Sequence, residues 1–537
     1  MASERKTSGV FLRTSSGLVK AWSPFDGFVY NWFGGAFLFG GFGLTLYTQM
    51  LGSFPGTNPY LGIALAGIGS IPMMLTIAML ATAMPRTGGD YVWTSRVLHP
   101  AIGAASVVGG TVIWSMCFGA WNGYDMAVYG FGSALSWIGS ITGSSGLTSA
   151  GTWALGFMGT VIISIIAMII PIFMVIFGMR RYAWIQRAIF AITMITIGLM
   201  LAVLAITSNQ QWATSFNSMF TSPDMYDQVV KTASVSTTYS WSDTITWTSV
   251  LAPGFAFSWY MAPMLGEIKK ADNLKVMSLT FLSPILFGMI LFGLTTYLLF
   301  NVVGQSFLAS LGALINNGSP LLSSLPLTLY WIYLPMVAMP NTALIFMVCV
   351  MITAMMLFYQ AGNYIGCSRY LFSQAFDRIL PGKLAYVHPR FHVPLVGILV
   401  MAVGSILWVI WSNFQPSVWI FTAASLLASL GQNLIISLTG LLFAYRTPGL
   451  FESSPAGRYK LGGVPAIAIT GILGLVWNAI LAYYYLSIPA LGAQVPPSYY
   501  VIIVSFVGMF LIYFISRAYR KRQGIDLGLA FREIPPL

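Results

Sequence analysis

Charge is scarce in this chain. Only 7% of its 537 residues are Asp, Glu, Lys or Arg, where a soluble protein of that length carries about a quarter. Cysteine is nearly absent too: Cys117, Cys349 and Cys367 all fall inside apolar runs, so no disulfide framework is implied. The histidines are His99, His388 and His392, at the ends of apolar runs or between them. None sits at mid-membrane depth as a proton relay, and no ligand spacing suggests a metal, so no cofactor is expected. The first 23 residues lack an apolar core ending in a small-residue cleavage site, and no cleaved signal is expected.

What fills the space is hydrophobic: 57% of residues, with a mean hydropathy of +0.79. An all-α integral membrane protein is the class this composition predicts. Apolar stretches long enough to cross a bilayer, about 20 residues each, fall at 24–50, 59–84, 100–138, 152–178, 184–207, 243–265, 276–303, 341–371, 394–412, 416–445, 462–487 and 498–516. They predict twelve transmembrane helices, here called spans 1 to 12. Of 25 Lys and Arg residues, 24 fall before span 1, after span 12, or in every second loop; Lys231 alone lies on the other side. Positive loops face the cytoplasm, so both termini are expected there, in a multi-pass protein of the plasma membrane. The net charge of +12 then reflects topology, helped by anionic membrane lipid. Basic residues scattered over separate loops do not make a nucleic-acid surface.

Two spans look interrupted. APGFAFSWYMAPMLGEIKK, residues 252–270, places two prolines and a glycine among aromatics at the end of span 6. Span 1 carries Gly34-Gly35, and later Gly40, Gly41 and Gly43. Small residues can serve close helix packing alone. Interruptions in corresponding positions, five spans apart, are instead the pointer to an inverted-repeat transporter. A broken helix exposes N–H groups where its second half starts and C=O groups where its first half ends. The former suit a carboxylate and the latter an ammonium. Two such breaks side by side hold a zwitterion without a charged side chain.

The candidate substrate residues are therefore Phe33, Gly34, Gly35 and Ala36 in span 1, and Gly254, Phe255, Ala256, Phe257, Ser258 and Trp259 in span 6. Depth places the span 1 break at 33–37; counting back from Pro85 would place it at 40–43. Pro253 and Gly254 argue for unwinding over 254–259, with Phe255 as an aromatic lid. Asn122 and Asp125, from WNGYDMAVYG in span 3, join the set. Asp125 is the one acid well inside a span, which by default marks function; a carboxylate bonded to tyrosine or to the outer interface is the other reading. Asp26 and Glu267 are expected to pair with arginines at a gate or loop. Gln360 and Asn363 either touch substrate or, more simply, bond across helices.

Three loop motifs then agree. MPRTGGDYVWTSRVLHP at 84–100 resembles the P-R-x-G-G-x-Y-V…S-R signature of the amino acid–polyamine–organocation superfamily. GEIKKADN at 266–273 is similar to its G-E-(V/I)-K-N-P, and SRYLFSQAFDRILPGKLAYVHPRFHVP at 368–394 to its S-R…D-x-x-L-P…P pattern. The resemblance covers about residues 22–520. It implies a leucine-transporter-like fold with a 5+5 inverted repeat and two extra C-terminal helices. The expected division is a cytoplasmic N-terminal segment 1–23, repeat 1 at 24–207, an extracellular loop 208–242, repeat 2 at 243–445, spans 11–12 within 446–516, and a tail 517–537. It also implies secondary transport of amino acids by alternating access, the uncharged pocket favouring neutral or apolar ones. The family's G-S-G of span 1 is missing, and Trp259 and Met261 replace its glycine and acid in span 6.

Some relatives bind Na⁺ through span 8 hydroxyls, others use a span 5 lysine. Here FYQAGNYIG before Ser368 has no hydroxyl of Ser or Thr, and Thr193 stands where the lysine would. That favours a coupling proton or uncoupled exchange over Na⁺. An amine or polyamine carrier stays open, as does a non-transporting amino-acid sensor on the same fold, although no long soluble domain offers a signalling output. Proton-pumping subunits need Lys and Glu strung through the membrane, and an embedded enzyme needs a nucleophile–base pair or a metal cluster; neither pattern is present. Oligomeric state is not legible.

Overall fold

The computed structural model describes residues 17–35, 45–220, 222–322, 331–415, 419–489, 496–531 and 533–535. Among these, regular structure is helical except for one short antiparallel hairpin, Lys460–Leu461 with Val464–Pro465. Among the described residues, ten helices are long and apolar enough to cross a membrane. They correspond to spans 2 to 5 and 7 to 12: Pro59–Ala83, Pro100–Thr142, Phe157–Ile176, Met179–Ile206, Leu274–Val302, Thr342–Phe376, Leu395–Phe414, Leu427–Arg446, Ala466–Leu486 and Ser498–Arg522. The two segments outside this set are spans 1 and 6, those whose sequences look interrupted.

Span 1 is described as a helix, Pro24–Gly35, and, past residues 36–44, a π-helical turn Thr45–Gln49 leading into Met50–Ser53. The site residue Ala36 and the alternative break at 40–43 lie outside the described residues. Span 6 is a helix, Trp241–Ala256, followed by turns and by a 3-10 helix, Ala262–Glu267. Span 3 changes register twice, with π-helical stretches Val108–Val112 and Met126–Gly132.

Helix starts follow local chemistry. Asn58, Asn273 and Asn341 cap spans 2, 7 and 8 by accepting backbone N–H groups of the first turn, as short polar side chains do. Spans 6 and 8 form the interior: every residue from Thr244 to Ala256 is buried, and so is the run Phe358–Ala375. Span 12 lies at the edge, its most apolar window only 22% buried. The loop 208–242 carries two short helices, Asn209–Asn217 and Met225–Ala233.

Candidate substrate site

Proline decides where span 6 stops being an α-helix. Pro253 lies inside Trp241–Ala256 and removes one bond, to the Ser249 carbonyl, without ending the helix. Pro263 has no N–H for the Trp259 carbonyl, and its ring crowds that carbonyl. The chain tightens in response. Phe257–Met261 are turns, and Trp259 C=O takes the Ala262 N–H at 2.7 Å in place of the missing partner. Pro263 then sits in the first turn of the 3-10 helix. The expected unwinding at 254–259 is corrected accordingly: Gly254, Phe255 and Ala256 are helical, and the interruption occupies 257–261. Its carbonyls are partly re-used within the turns, Phe255 C=O accepting the Ser258 N–H at 3.1 Å and Phe257 C=O the Tyr260 N–H at 3.0 Å.

Span 1 meets this interruption directly. A Cβ on Gly34 would lie 2.7 Å from Tyr260 Cβ and 3.1 Å from the Phe257 carbonyl oxygen, so the approach requires glycine. Asn31, one turn earlier, accepts the Met261 N–H at 2.9 Å and donates to the Thr280 carbonyl of span 7 at 3.3 Å. Tyr30 stacks on Tyr260 with ring centroids 5.0 Å apart, and its hydroxyl donates to the Gly362 carbonyl of span 8 at 2.7 Å. The Tyr260 hydroxyl donates to Asn363 Oδ1. Asn363 Nδ2 is buried and has no hydrogen-bond partner among the described residues. Glycine recurs on the far wall, where a Cβ on Gly362 would sit 2.9 Å from the Tyr260 ring.

Of the residues expected at the site, Gly34 and Phe257 meet here, with Ser258 and Trp259 in the same buried turn. Phe33 packs its ring 4.2 Å from that of Phe358 in span 8. Trp259 donates its indole N–H to Asn433 of span 10 at 3.1 Å. Gly35 ends the first described helix of span 1. Phe255 does not cap the junction: its ring lies against Gly288 and Phe292 of span 7. Asn122 donates to Gln360 at 2.8 Å, and Gln360 to Ser405 of span 9 at 3.1 Å, a bond chain across three helices. Asp125 is buried where the α-helical part of span 3 gives way to its second π-helical stretch, a distortion frequent at functional sites. Sequence reasoning did not single out Tyr30, Asn31, Tyr260 or Gly362. Asn31 had a signal, a polar side chain deep in an apolar span; the others look like ordinary membrane residues.

Below the junction the three loop motifs hold one another. Glu267 receives Arg369 through two bonds, 2.9 and 3.1 Å, both residues fully buried. Asp377 receives Arg96 at 2.8 and 3.1 Å and the Tyr91 hydroxyl at 2.8 Å. Burial works against the Arg96 charge, but Asp377 and Tyr91 together hold the guanidinium above its ordinary value. Asp26 receives Arg187 at 2.7 and 2.9 Å. Asp26 and Glu267 are thus both arginine partners. Gly88 and Gly89 take positive φ angles of 94° and 36°, which lets the Gly88 N–H reach the Pro263 carbonyl at 2.8 Å. Trp22 exchanges backbone bonds with Glu267 and Lys269 at 3.1 and 2.9 Å. Among the described residues no cation pairs with Asp90; it accepts from Tyr370 and Gln432, and burial pushes its carboxyl up to about 6.

The buried arginine–carboxylate pairs and the glycine turn give the loop motifs a structural reason to occur together. No curated protein matches the chain. The family model described as amino acid permease matches residues 29–512, which takes in the junction of spans 1 and 6 and all three motifs. Such proteins are membrane transporters, not enzymes, and this chain belongs to the amino acid permease family of the amino acid–polyamine–organocation superfamily.

Proposed function

We propose that the protein is a secondary transporter of neutral or apolar amino acids in the plasma membrane, working by alternating access at the junction of spans 1 and 6. The supporting observation is the glycine-dependent contact of Gly34 with the Phe257–Tyr260 turn. It sets Gly34, inside the expected span 1 interruption, against the span 6 turn, in a site without a charged side chain from either segment. The substrate ammonium is assigned to carbonyls of 255–258. Those already bonded once keep a second lone pair, and a buried ammonium left without acceptors costs several kcal/mol. The carboxylate is assigned to the unspent Asn363 amide.

On this reading the chain crosses twelve times, with repeats at 24–207 and 243–445, two further spans within 446–516, and both termini cytoplasmic. Opening to the cytoplasm requires the Trp22 bridge to Glu267 and Lys269 to part. Na⁺ coupling is not expected: FYQAGNYIG, the stretch of span 8 before Ser368, lacks the Ser and Thr hydroxyls such sites use.

Uptake of a panel of radiolabelled amino acids into proteoliposomes tests the reading, with Na⁺ replaced by choline in a parallel arm. Accumulation of apolar amino acids unaffected by choline is expected. Binding in a thermal-shift assay without uptake would identify a sensor, and uptake of polyamines alone a cation carrier. A cysteine at position 231 should label from outside intact cells.

A further inference from the structure

The face assigned above to the cytoplasm carries a cavity of about 520 Å³ whose lining includes none of the residues of the span 1–span 6 junction. Four separate segments line it: the stretch before span 1, the loop between spans 4 and 5, the end of span 6, and the loop between spans 8 and 9. Each contributes a cation, namely Lys20, Arg180, Lys269 and Arg390, and His392 adds an imidazole. No carboxylate is among the lining residues. Among the described residues near it, Asp26 is committed to Arg187 and Glu267 to Arg369, and Asp272, three residues past Lys269, is exposed and outside the lining. Four like charges gathered around one concavity repel one another, and a counter-charge must come from outside.

The cavity is also shaped. Gly178 has φ +100°, and a Cβ there would stand 3.0 Å from the Phe391 carbonyl, so the two loops close on each other only through glycine. His392 in the cavity wall and Lys270 beside Lys269 both hold left-handed backbone, at φ 53° and 60°. Non-glycine residues rarely adopt this conformation, and it clusters at ligand clamps. The Trp22 bridge to Glu267 and Lys269, here called the latch, adjoins the cavity. Ala21 and Met179 line the cavity, while Trp22 between them donates its indole N–H to the Met179 carbonyl at 3.0 Å and accepts the Lys269 N–H at 2.9 Å.

We propose that this cavity binds a phosphate-class oligoanion and that the bound anion clamps the cytoplasmic ends of spans 1 and 6 against the loops beside them. Phosphate oxygens match both guanidinium forks and ammonium groups. Basic pockets on the cytoplasmic side of membrane proteins are the places where anionic headgroups seat. The ligand chemistry is the same whether it comes from a lipid headgroup or from a soluble phosphate. Because anion and latch share Lys269, binding opposes the parting of Trp22 from span 6.

The test uses the purified full chain and does not depend on transport. Pyrophosphate is titrated in neutral detergent, and separately the protein is placed in phosphatidylcholine vesicles with and without phosphatidic acid. Thermal midpoint and hydrogen exchange at the Trp22 and Lys269 amides are followed in each. Stabilisation by pyrophosphate, or by phosphatidic acid alone, is expected, the first identifying a soluble ligand and the second a lipid, with exchange slowed about tenfold, the equivalent of 1.4 kcal/mol. Lys20→Ser with Arg390→Ser should weaken binding by at least about tenfold and remove the slowing, while Lys383→Ser, an exposed cation outside the cavity, should change neither. No stabilisation by either source, or equal weakening by Lys383→Ser, would overturn the proposal, the latter showing only a diffuse basic surface.

Discussion

Spans 6 and 7 are neighbours in sequence and both contain proline, yet one is interrupted and the other runs 29 residues without a break. Pro284 sits inside span 7, and the helix carries on past it. The difference lies in what surrounds the backbone. In span 7 one bond is enough: Pro284 is on the buried face, and the Thr280 carbonyl left by its missing N–H accepts from Asn31 at 3.3 Å, so the helix runs on. Span 6 is enclosed by protein. When Pro263 forbids α-helical bonding, Asn31 is present to take the Met261 N–H, and Gly88 to donate to the Pro263 carbonyl. Asn31 thus serves both prolines, accepting the Met261 N–H beside Pro263 and donating to the carbonyl that Pro284 leaves free.

That contrast can be broken at its anchor. Glu267 ends the tightened half of span 6, and Glu267→Gln leaves Arg369 buried without a counter-charge, at a cost of about 3–5 kcal/mol. Unfolding followed in detergent should show the largest loss of this set; a midpoint close to wild type would mean that Arg369 finds another acceptor and that the span 6 end is not held as described.

The loop that receives span 6 gives a pH signature. Asp90 is buried beside Tyr370 and Gln432 and titrates near 6 in the folded chain against 3.8 for a free carboxyl. A raised carboxyl contributes stability that is fully present below 3.8 and is lost as pH rises through about 6. Asp90→Asn should flatten that dependence and stabilise the protein on the alkaline side by as much as ~3 kcal/mol. Melting curves of both proteins on either side of pH ~6 decide it; parallel curves would mean that the Asp90 charge is met in the folded state.

Asn31→Ala sharpens the contrast, because it strips the acceptor from Met261 and the donor from Thr280 at once. Buried groups left unpaired cost about 1–3 kcal/mol, and substrate-induced stabilisation should vanish while the fold persists. Retained binding would show that the interruption survives without its cover. The smallest effect is expected in span 7. Pro284→Ala restores a backbone donor to an already continuous helix, and stability should move by less than about 1 kcal/mol with uptake unchanged.

Much of this was legible because it depends on bulk properties. Scarce charge, ten of the apolar stretches, the asymmetry of Lys and Arg, and the two suspect segments are all local. The position of the span 6 interruption was not, since Pro253 and Pro263 look alike in one dimension. Which of them ends the helix depends on Asn31, 230 residues away from Met261. The expected lid, Phe255, failed for a related reason: a helical residue faces whichever neighbour its rotation presents, and continuing the helix to Ala256 turned that ring onto Gly288 of span 7.

By itself, then, the sequence determined the solvent this protein lives in and the segments able to cross it, because transfer of an apolar helix into lipid is a sum over its own residues. It also determined, through Gly34, Gly88 and Gly89, where backbones could come close. Only the tertiary structure decided which close approaches occur: Gly34 on the Phe257–Tyr260 turn, Gly88 on Pro263, Glu267 on Arg369. Those are pairings between distant segments, and in a low-dielectric interior each buried polar group accepts whichever partner the packing of all the helices brings within reach.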